Sequence, residues 1–279
     1  MKPTTVLVTG ASSGIGKEIA MQFLNENSRK PNTYKIYVTA RKTDSLTELV
    51  RRGCHALQLD VTSEESMQET ISQVIEKSGS VDILINNAGF CQNGVVEELS
   101  IDEIRRQFET NVFGLIRMCQ LVLPSMRHQK RGRIINIGSA GGDFTSPGAS
   151  AYHASKYALE SFSDGLRMEL APFGIDVVLI KPGGVKTAFV EHSGFPHAIQ
   201  GNPYQEFRAK FLKMVSTILD NNSYGILTPQ EVANVVLTSA TVRAPKTRYR
   251  VGMLAKILPI LRHTLSDKSF DKMLLAQLK

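Results

Sequence analysis

Tyr152 and Lys156 stand four residues apart in a stretch whose apolar spacing predicts a helix, so both side chains project from one face. A tyrosine, with an ordinary pKa of about 10, is a poor base at neutral pH. An ammonium group beside it favours tyrosinate and lowers that value. Ser139, thirteen residues upstream of Tyr152, offers a hydroxyl that would hydrogen-bond a substrate oxygen as charge develops, while Tyr152 exchanges the proton. Taken alone, the Tyr152/Lys156 pair also describes an ordinary half-exposed helix face. Ser139 and the glycine-rich turn discussed next favour chemistry.

That turn is Thr9-Gly10-Ala11-Ser12-Ser13-Gly14-Ile15-Gly16, placed after a strand-like run and opening a helical pattern. Glycines let a backbone turn tightly and approach a pyrophosphate, whose charge is met by amide groups at the positive end of the helix. The expected ligand is a dinucleotide. The choice between NAD and NADP is read at the end of the second strand, where a carboxylate would bind a free ribose hydroxyl and an arginine a 2′-phosphate. The sequence there is Ala40-Arg41-Lys42, which favours NADP(H) over NAD(H), Arg41 offering a planar fork to the phosphate. A solvated basic pair after a strand is the plainer alternative. Asp60, in Asp60-Val61 after the third strand, could accept from the adenine amino group.

Six β-rich apolar runs must position these residues: Thr5–Val8, Lys35–Thr39, His55–Leu59, Val81–Ile85, Arg133–Ile137 and Ile175–Ile180, with a weaker seventh at Arg248–Val251. Helix-like stretches alternate with them, which predicts parallel crossover units and a doubly wound, mostly parallel Rossmann-like α/β sheet with helices on both faces. Ligands bind such sheets beyond the carboxyl ends of the strands. No repeat or low-complexity linker divides the chain, so residues 1–279 read as one dinucleotide-binding catalytic domain. Its core spans about 4–190, with a substrate lid at about 188–225 and a basic amphipathic tail at about 252–279.

The motifs resemble those of the short-chain dehydrogenase/reductase superfamily over about residues 4–190. They comprise the Gly10/Gly14/Gly16 spacing, Asn86-Asn87-Ala88-Gly89, Thr110-Asn111-Val112-Phe113-Gly114, Ser139 with Tyr152-His153-Ala154-Ser155-Lys156, and Pro182-Gly183-Gly184-Val185-Lys186-Thr187. The resemblance implies a catalytic tetrad of Asn111, Ser139, Tyr152 and Lys156, in which Lys156 also holds the nicotinamide ribose and Asn111 organises a water-linked proton relay; for Asn111 a plain helical role stays open. It implies cofactor contacts from Gly10, Ser12, Ser13, Gly14, Ile15, Gly16, Arg41, Asp60, Val61, Asn87, Ala88, Gly89, Pro182, Gly183, Val185 and Thr187, and substrate contacts from Ser139 and Tyr152. Thr187-Ala188-Phe189 and the tail look like the hydroxysteroid or retinol dehydrogenase-like branches. A hydrophobic alcohol or ketone is then the expected substrate. A 3-oxoacyl thioester reductase is the alternative enzyme, and a dinucleotide-sensing regulator the alternative outside enzymology.

Several residues carry less. Cys91 has no basic neighbour in sequence to make it a nucleophile, and His192 and His197 have no partner at ligand spacing, so no metal site is expected. Phe189, Phe195, Phe207, Phe211, Leu212 and Met214 could build an apolar substrate wall or simply pack the lid to the body. The net charge of +7 lies wholly in residues 241–279, with nine basic groups against Asp267 and Asp271, while residues 1–240 balance. That distribution argues against a nucleic-acid partner. The tail's apolar stripe, interrupted by Pro259, suits packing on the body or on a second subunit, or peripheral contact with an anionic membrane. Packing on the body is the expectation. Three dispersed cysteines, no membrane span and no signal segment suggest a cytoplasmic protein, and the family resemblance implies a homodimer or homotetramer.

Overall fold

Apolar β-branched runs flanked by glycine turns form strands buried on both faces, and in the computed structural model seven of them lie side by side and all parallel. Residues 2–187, 203–220 and 225–278 are described. The strands are β1 (Thr4–Val8), β2 (Tyr34–Ala40), β3 (His55–Gln58), β4 (Ile83–Asn86), β5 (Gly132–Ile137), β6 (Ile175–Pro182) and β7 (Arg248–Val251). Their order is β3-β2-β1-β4-β5-β6-β7, so Val6 pairs with Ile36 on one side and Ile83 on the other. Strand order reverses between β1 and β4. This switch point is where such sheets receive ligands. The expected seventh strand is present at its expected bounds, and the sheet is wholly parallel rather than mostly so.

Helices α1 (Gly14–Arg29), α2 (Thr47–Arg51), α3 (Glu64–Ser78), α4 (Ile101–Phe108), α5 (Leu115–His128), α6 (Ser150–Leu170), α7 (Gln205–Asp220) and α8 (Pro229–Thr241) follow the strands. Alternation sorts side chains to the two faces. Val6, Val8, Ile36, Val38 and Ile180 pack with Ile19 and Phe23 of α1 and Val232 and Val236 of α8. Leu7, Tyr37, Leu84, Ile134 and Leu179 pack with Val74 of α3, Met118 and Val122 of α5 and Leu159 of α6. Capping boxes start α4 (Ser100 with Glu103) and α8 (Thr228 with Glu231), each satisfying amides that a helix start leaves unpaired.

The tail folds into α9 (Met253–Thr264) and α10 (Asp267–Leu275). Pro259 does not interrupt it: α9 runs through Pro259, and the break falls at Leu265–Ser266, where the Ser266 side chain caps α10. Ala255, Pro259, Phe270 and Leu278 are buried, with the Phe270 ring edge-on to Phe144 at 6.3 Å, so the inner half of the stripe packs on the body as expected. Met253, Ile257 and Ile260 face outward. Among the described residues no helix is long and apolar enough to cross a membrane.

Candidate active site

The glycine turn and the segment after β4 are stapled together. The Thr9 hydroxyl accepts from the amides of Asn87 and Ala88, each at 3.0 Å, and Asn87 Nδ2 donates to the carbonyls of Thr9 (3.1 Å) and Gly10 (2.9 Å). Gly10 has φ +67°, and a Cβ there would stand 2.8 Å from the Ala88 Cα; one on Gly16 would stand 2.3 Å from the Gly10 carbonyl. Only glycine allows this approach. Ser12 and Ser13 are exposed, the Ser13 side chain makes no capping bond, and the first turn of α1 holds no acidic residue. The start of α1 thus offers bare amides and its positive dipole end, which fits a pyrophosphate. Ile15 is half-buried beside this turn and packs on the core. Thr187 lies across from Gly14, which joins the end of the Pro182–Thr187 segment to the same cradle. Along that segment Gly183 N donates to the Val251 carbonyl, and Val185 bridges to Leu227.

At the adenosine side, Arg41 and Lys42 are exposed immediately beyond β2, and neither makes an ion pair among the described residues. Asp60 accepts from both the amide (2.9 Å) and the hydroxyl (2.7 Å) of Thr62 through one oxygen, a local turn that the sequence reading did not foresee. Val61 is buried, with the Gly114 backbone against its carbonyl.

Asn111 is buried within a π-helical stretch, Glu109–Gly114, a distortion that recurs at functional sites. Its side chain reads one backbone from both ends: Oδ1 accepts from Phe90 N (3.1 Å) and Nδ2 donates to Phe90 O (2.9 Å), with Ser155 Oγ at 3.3 Å. Gln107 adds a second clamp, donating to Phe90 O at 2.8 Å and accepting from Gln92 N at 2.6 Å. The loop beyond Gly89 is thereby fixed by two amide side chains from the α4–α5 region.

Ser139 ends the run from β5 and caps the short turn Ala140–Gly142, its Oγ accepting from Gly141 N at 3.0 Å. Its hydroxyl also hydrogen-bonds the Tyr152 phenol. Burial nonetheless pushes the Tyr152 phenol well above its ordinary range, with Cys91 adding to the rise and the Ser139 bond opposing it. Burial thus outweighs the lowering that the sequence predicts from Lys156. The buried Lys156 ammonium donates to the Ile137 carbonyl at 2.9 Å, 5.7 Å from the centre of the Tyr152 ring, and burial lowers it to about 8. Cys91 is no nucleophile in this setting, since burial pushes its thiol up to about 12.

His153 went unnoticed in the sequence, although it adjoins Tyr152. Its Nδ1 lies 2.9 Å from the Gly141 carbonyl and its Nε2 3.1 Å from Ser146 Oγ, which ties α6 to the Ser139 turn. Burial lowers its pKa, against the pull of the Gly141 and Phe144 carbonyls.

Beyond the site, α7 lies over the 94–99 and 144–149 loops. Arg208 pairs with Glu98, both largely buried, and Tyr204 donates to Glu97 at 2.6 Å. Phe211 is buried against Gly148, with Phe207 beside it at 6.2 Å. Leu212 is 52% exposed. Phe189, Phe195, His192 and His197 lie outside the described residues.

The sequence profile of the short chain dehydrogenase family matches residues 4–194. A 3-ketodihydrosphingosine reductase from Bacteroides thetaiotaomicron is 35% identical over 258 residues, 92% of this chain and 91% of that protein. Human 17-beta-hydroxysteroid dehydrogenase type 1 is 36% identical over 279 residues, 96% of this chain and 83% of that protein. A serine dehydrogenase solved in closed form with NADP+ superposes with a TM-score of 0.76 at 28% identity, covering 90% of this chain and 95% of that one. A dinucleotide cradle at the strand-order switch, a Ser–Tyr–Lys group beside it and these relatives converge on one conclusion: the chain belongs to the short-chain dehydrogenase/reductase family.

Proposed function

We propose that the protein is an NADP(H)-preferring oxidoreductase that interconverts an alcohol and its carbonyl on an apolar, lipid-like substrate. The meeting of Ser139, Tyr152 and Lys156 beside the glycine cradle carries this reading. A bound nicotinamide supplies or accepts the hydride. Ser139 hydrogen-bonds the substrate oxygen, and Tyr152, whose raised pKa keeps its proton at neutral pH, gives that proton to the developing alkoxide. Lys156 holds the ribose and refills the proton, and Asn111 keeps the loop carrying Asn87, Ala88 and Gly89 in place. Arg41 faces the 2′-phosphate, since Ala40 leaves no carboxylate there to favour a free hydroxyl.

The apolar substrate reading is supported by the Phe207/Phe211 pair on α7 and by the ketodihydrosphingosine and hydroxysteroid names of two relatives. The hydroxysteroid or retinol dehydrogenase-like branches fit best. NADPH oxidation against steroid ketones, retinal, long-chain ketones and 3-oxoacyl thioesters tests this. Exclusive turnover of thioesters would move the protein to the carrier-linked alternative. Tight NADPH binding with no turnover at all would leave a dinucleotide sensor.

Three free thiols suit a reducing compartment, and we read the protein as cytoplasmic. Exposed Phe113, Phe162 and Met168 suit helix packing between copies in a dimer or tetramer, checked by light scattering. Peripheral membrane contact would use the outward Met253, Ile257 and Ile260 with Lys256 at their flank, checked by salt-sensitive vesicle binding.

A further inference from the structure

Lys181 is the penultimate residue of β6, and its side chain is fully buried. A buried ammonium is costly unless paired, and two carboxylates meet this one: Asp143 Oδ2 at 2.7 Å and Glu160 Oε1 at 2.5 Å. The carboxylates come from different elements of the candidate active site. Asp143 closes the turn that Ser139 caps, its amide bonded to the Ala140 carbonyl at 2.9 Å. Glu160 lies on α6 one turn beyond Lys156, and a Cβ on Gly142 would sit 3.0 Å from both the Glu160 side chain and the Lys156 carbonyl. Turn and helix are in contact where the lysine joins them.

Two arginines of β7 complete the neutralisation. Arg248 bonds Glu160 at 3.1 Å and also pairs with Asp164, while Arg250 reaches Asp143 at 3.3 Å. With Arg167 also on Asp164 at 3.0 Å, four cations surround three carboxylates, and Lys181 at the centre has no exposure to water. Among the described residues no other ion pair joins β6 to both the serine and the tyrosine–lysine sides.

We propose that Lys181 is a positioning residue for proton transfer: through Asp143 and Glu160 it clamps the Ser139 turn against the Tyr152/Lys156 segment of α6. The clamp touches neither substrate nor cofactor. It fixes the separation of the serine and tyrosine hydroxyls, on which proton delivery depends steeply. The proposal rests on the oxidoreductase reading above for its kinetic consequence, but its structural consequence stands independently.

Two variants and two readouts test it. Lys181→Met removes the ammonium at similar length, and Asp143→Ala cuts the leg to the serine turn together with the outer Arg250 contact, leaving Lys181 paired with Glu160. Amide hydrogen exchange by mass spectrometry on the full chain should show faster exchange in peptides covering 139–149 in both variants, with peptides from β1 to β4 unchanged. In NADPH-dependent reduction of whichever carbonyl the wild type accepts, kcat should fall tenfold to a hundredfold while KM for NADPH stays within threefold. Wild-type exchange at 139–149, or a rise spread evenly over the chain, overturns the clamp. A loss confined to KM overturns it as well. Absence of wild-type turnover with every carbonyl refutes the oxidoreductase reading instead, and the exchange result still decides the clamp.

Discussion

Replacing Lys156 with methionine should stabilise the cofactor-free protein while destroying its use. The Lys156 ammonium is buried, and burial lowers it from 10.5 to about 8. A shift of that size means the folded state disfavours the charged form by about 3 kcal/mol relative to the unfolded chain. Methionine keeps the stem's packing, removes that cost and forfeits one charge-assisted bond to the Ile137 carbonyl, worth about 1.5–3 kcal/mol. The net gain at pH 7 is then small, about 0–1.5 kcal/mol, but its pH dependence is distinctive. Between pH 8 and 10.5 the unfolded lysine is protonated and the folded one is not, so the unfolded state binds more protons and wild-type stability rises with pH. The variant lacks this rise. Its advantage should be constant below pH 8 and should shrink by about 3 kcal/mol by pH 10.5, read from urea unfolding midpoints at fixed m. Parallel stability curves for the two proteins from pH 7 to 10.5 would refute the claim that Lys156 is held charged against its burial.

Tyr152→Phe removes the transferable proton and little volume, so turnover should drop by about 100- to 10,000-fold with NADPH affinity within a few fold of wild type, measured by steady-state rates and fluorescence titration. Arg41→Ala should weaken NADPH about tenfold, the low end for a charge-assisted bond at an exposed site, and leave NADH within twofold; equal losses would make Arg41 a fold residue. Truncation after Val251 uncovers the groove that takes Ala255, Phe270 and Leu278, so the melting temperature should fall and the shortened protein should aggregate, as differential scanning fluorimetry and light scattering would show.

Much of this architecture is legible in the order of residues. Apolar runs between glycine turns mark strands because burial on both faces tolerates little else, and β7 was found from a pattern as short as Arg248–Val251. Tyr152 and Lys156 announce themselves by helical spacing. What the sequence hides are partners distant along the chain. Lys181 reads as an ordinary polar end to a strand, and only the fold brings Asp143 and Glu160 to it. Arg248 and Arg250, counted as part of a basic tail, in fact neutralise carboxylates of the body, so the segregation of charge along the chain is not a segregation in space. Pro259 reads as a helix break, yet its ring is accommodated within α9. The tyrosine's raised pKa was equally out of reach, because burial is a property of the packed site and here outweighs any help from the neighbouring ammonium.

The grip of Asn111 and Gln107 on the loop after Gly89 has a consequence for change by mutation. Asn111 binds the main chain of Phe90, and Gln107 that of Phe90 and Gln92, atoms that every residue but proline presents alike. The side chain at 90 can therefore be exchanged without loosening these main-chain grips. The loop works as a socket whose base is fixed by main-chain contacts, so substitutions at Phe90 other than proline should leave it in place.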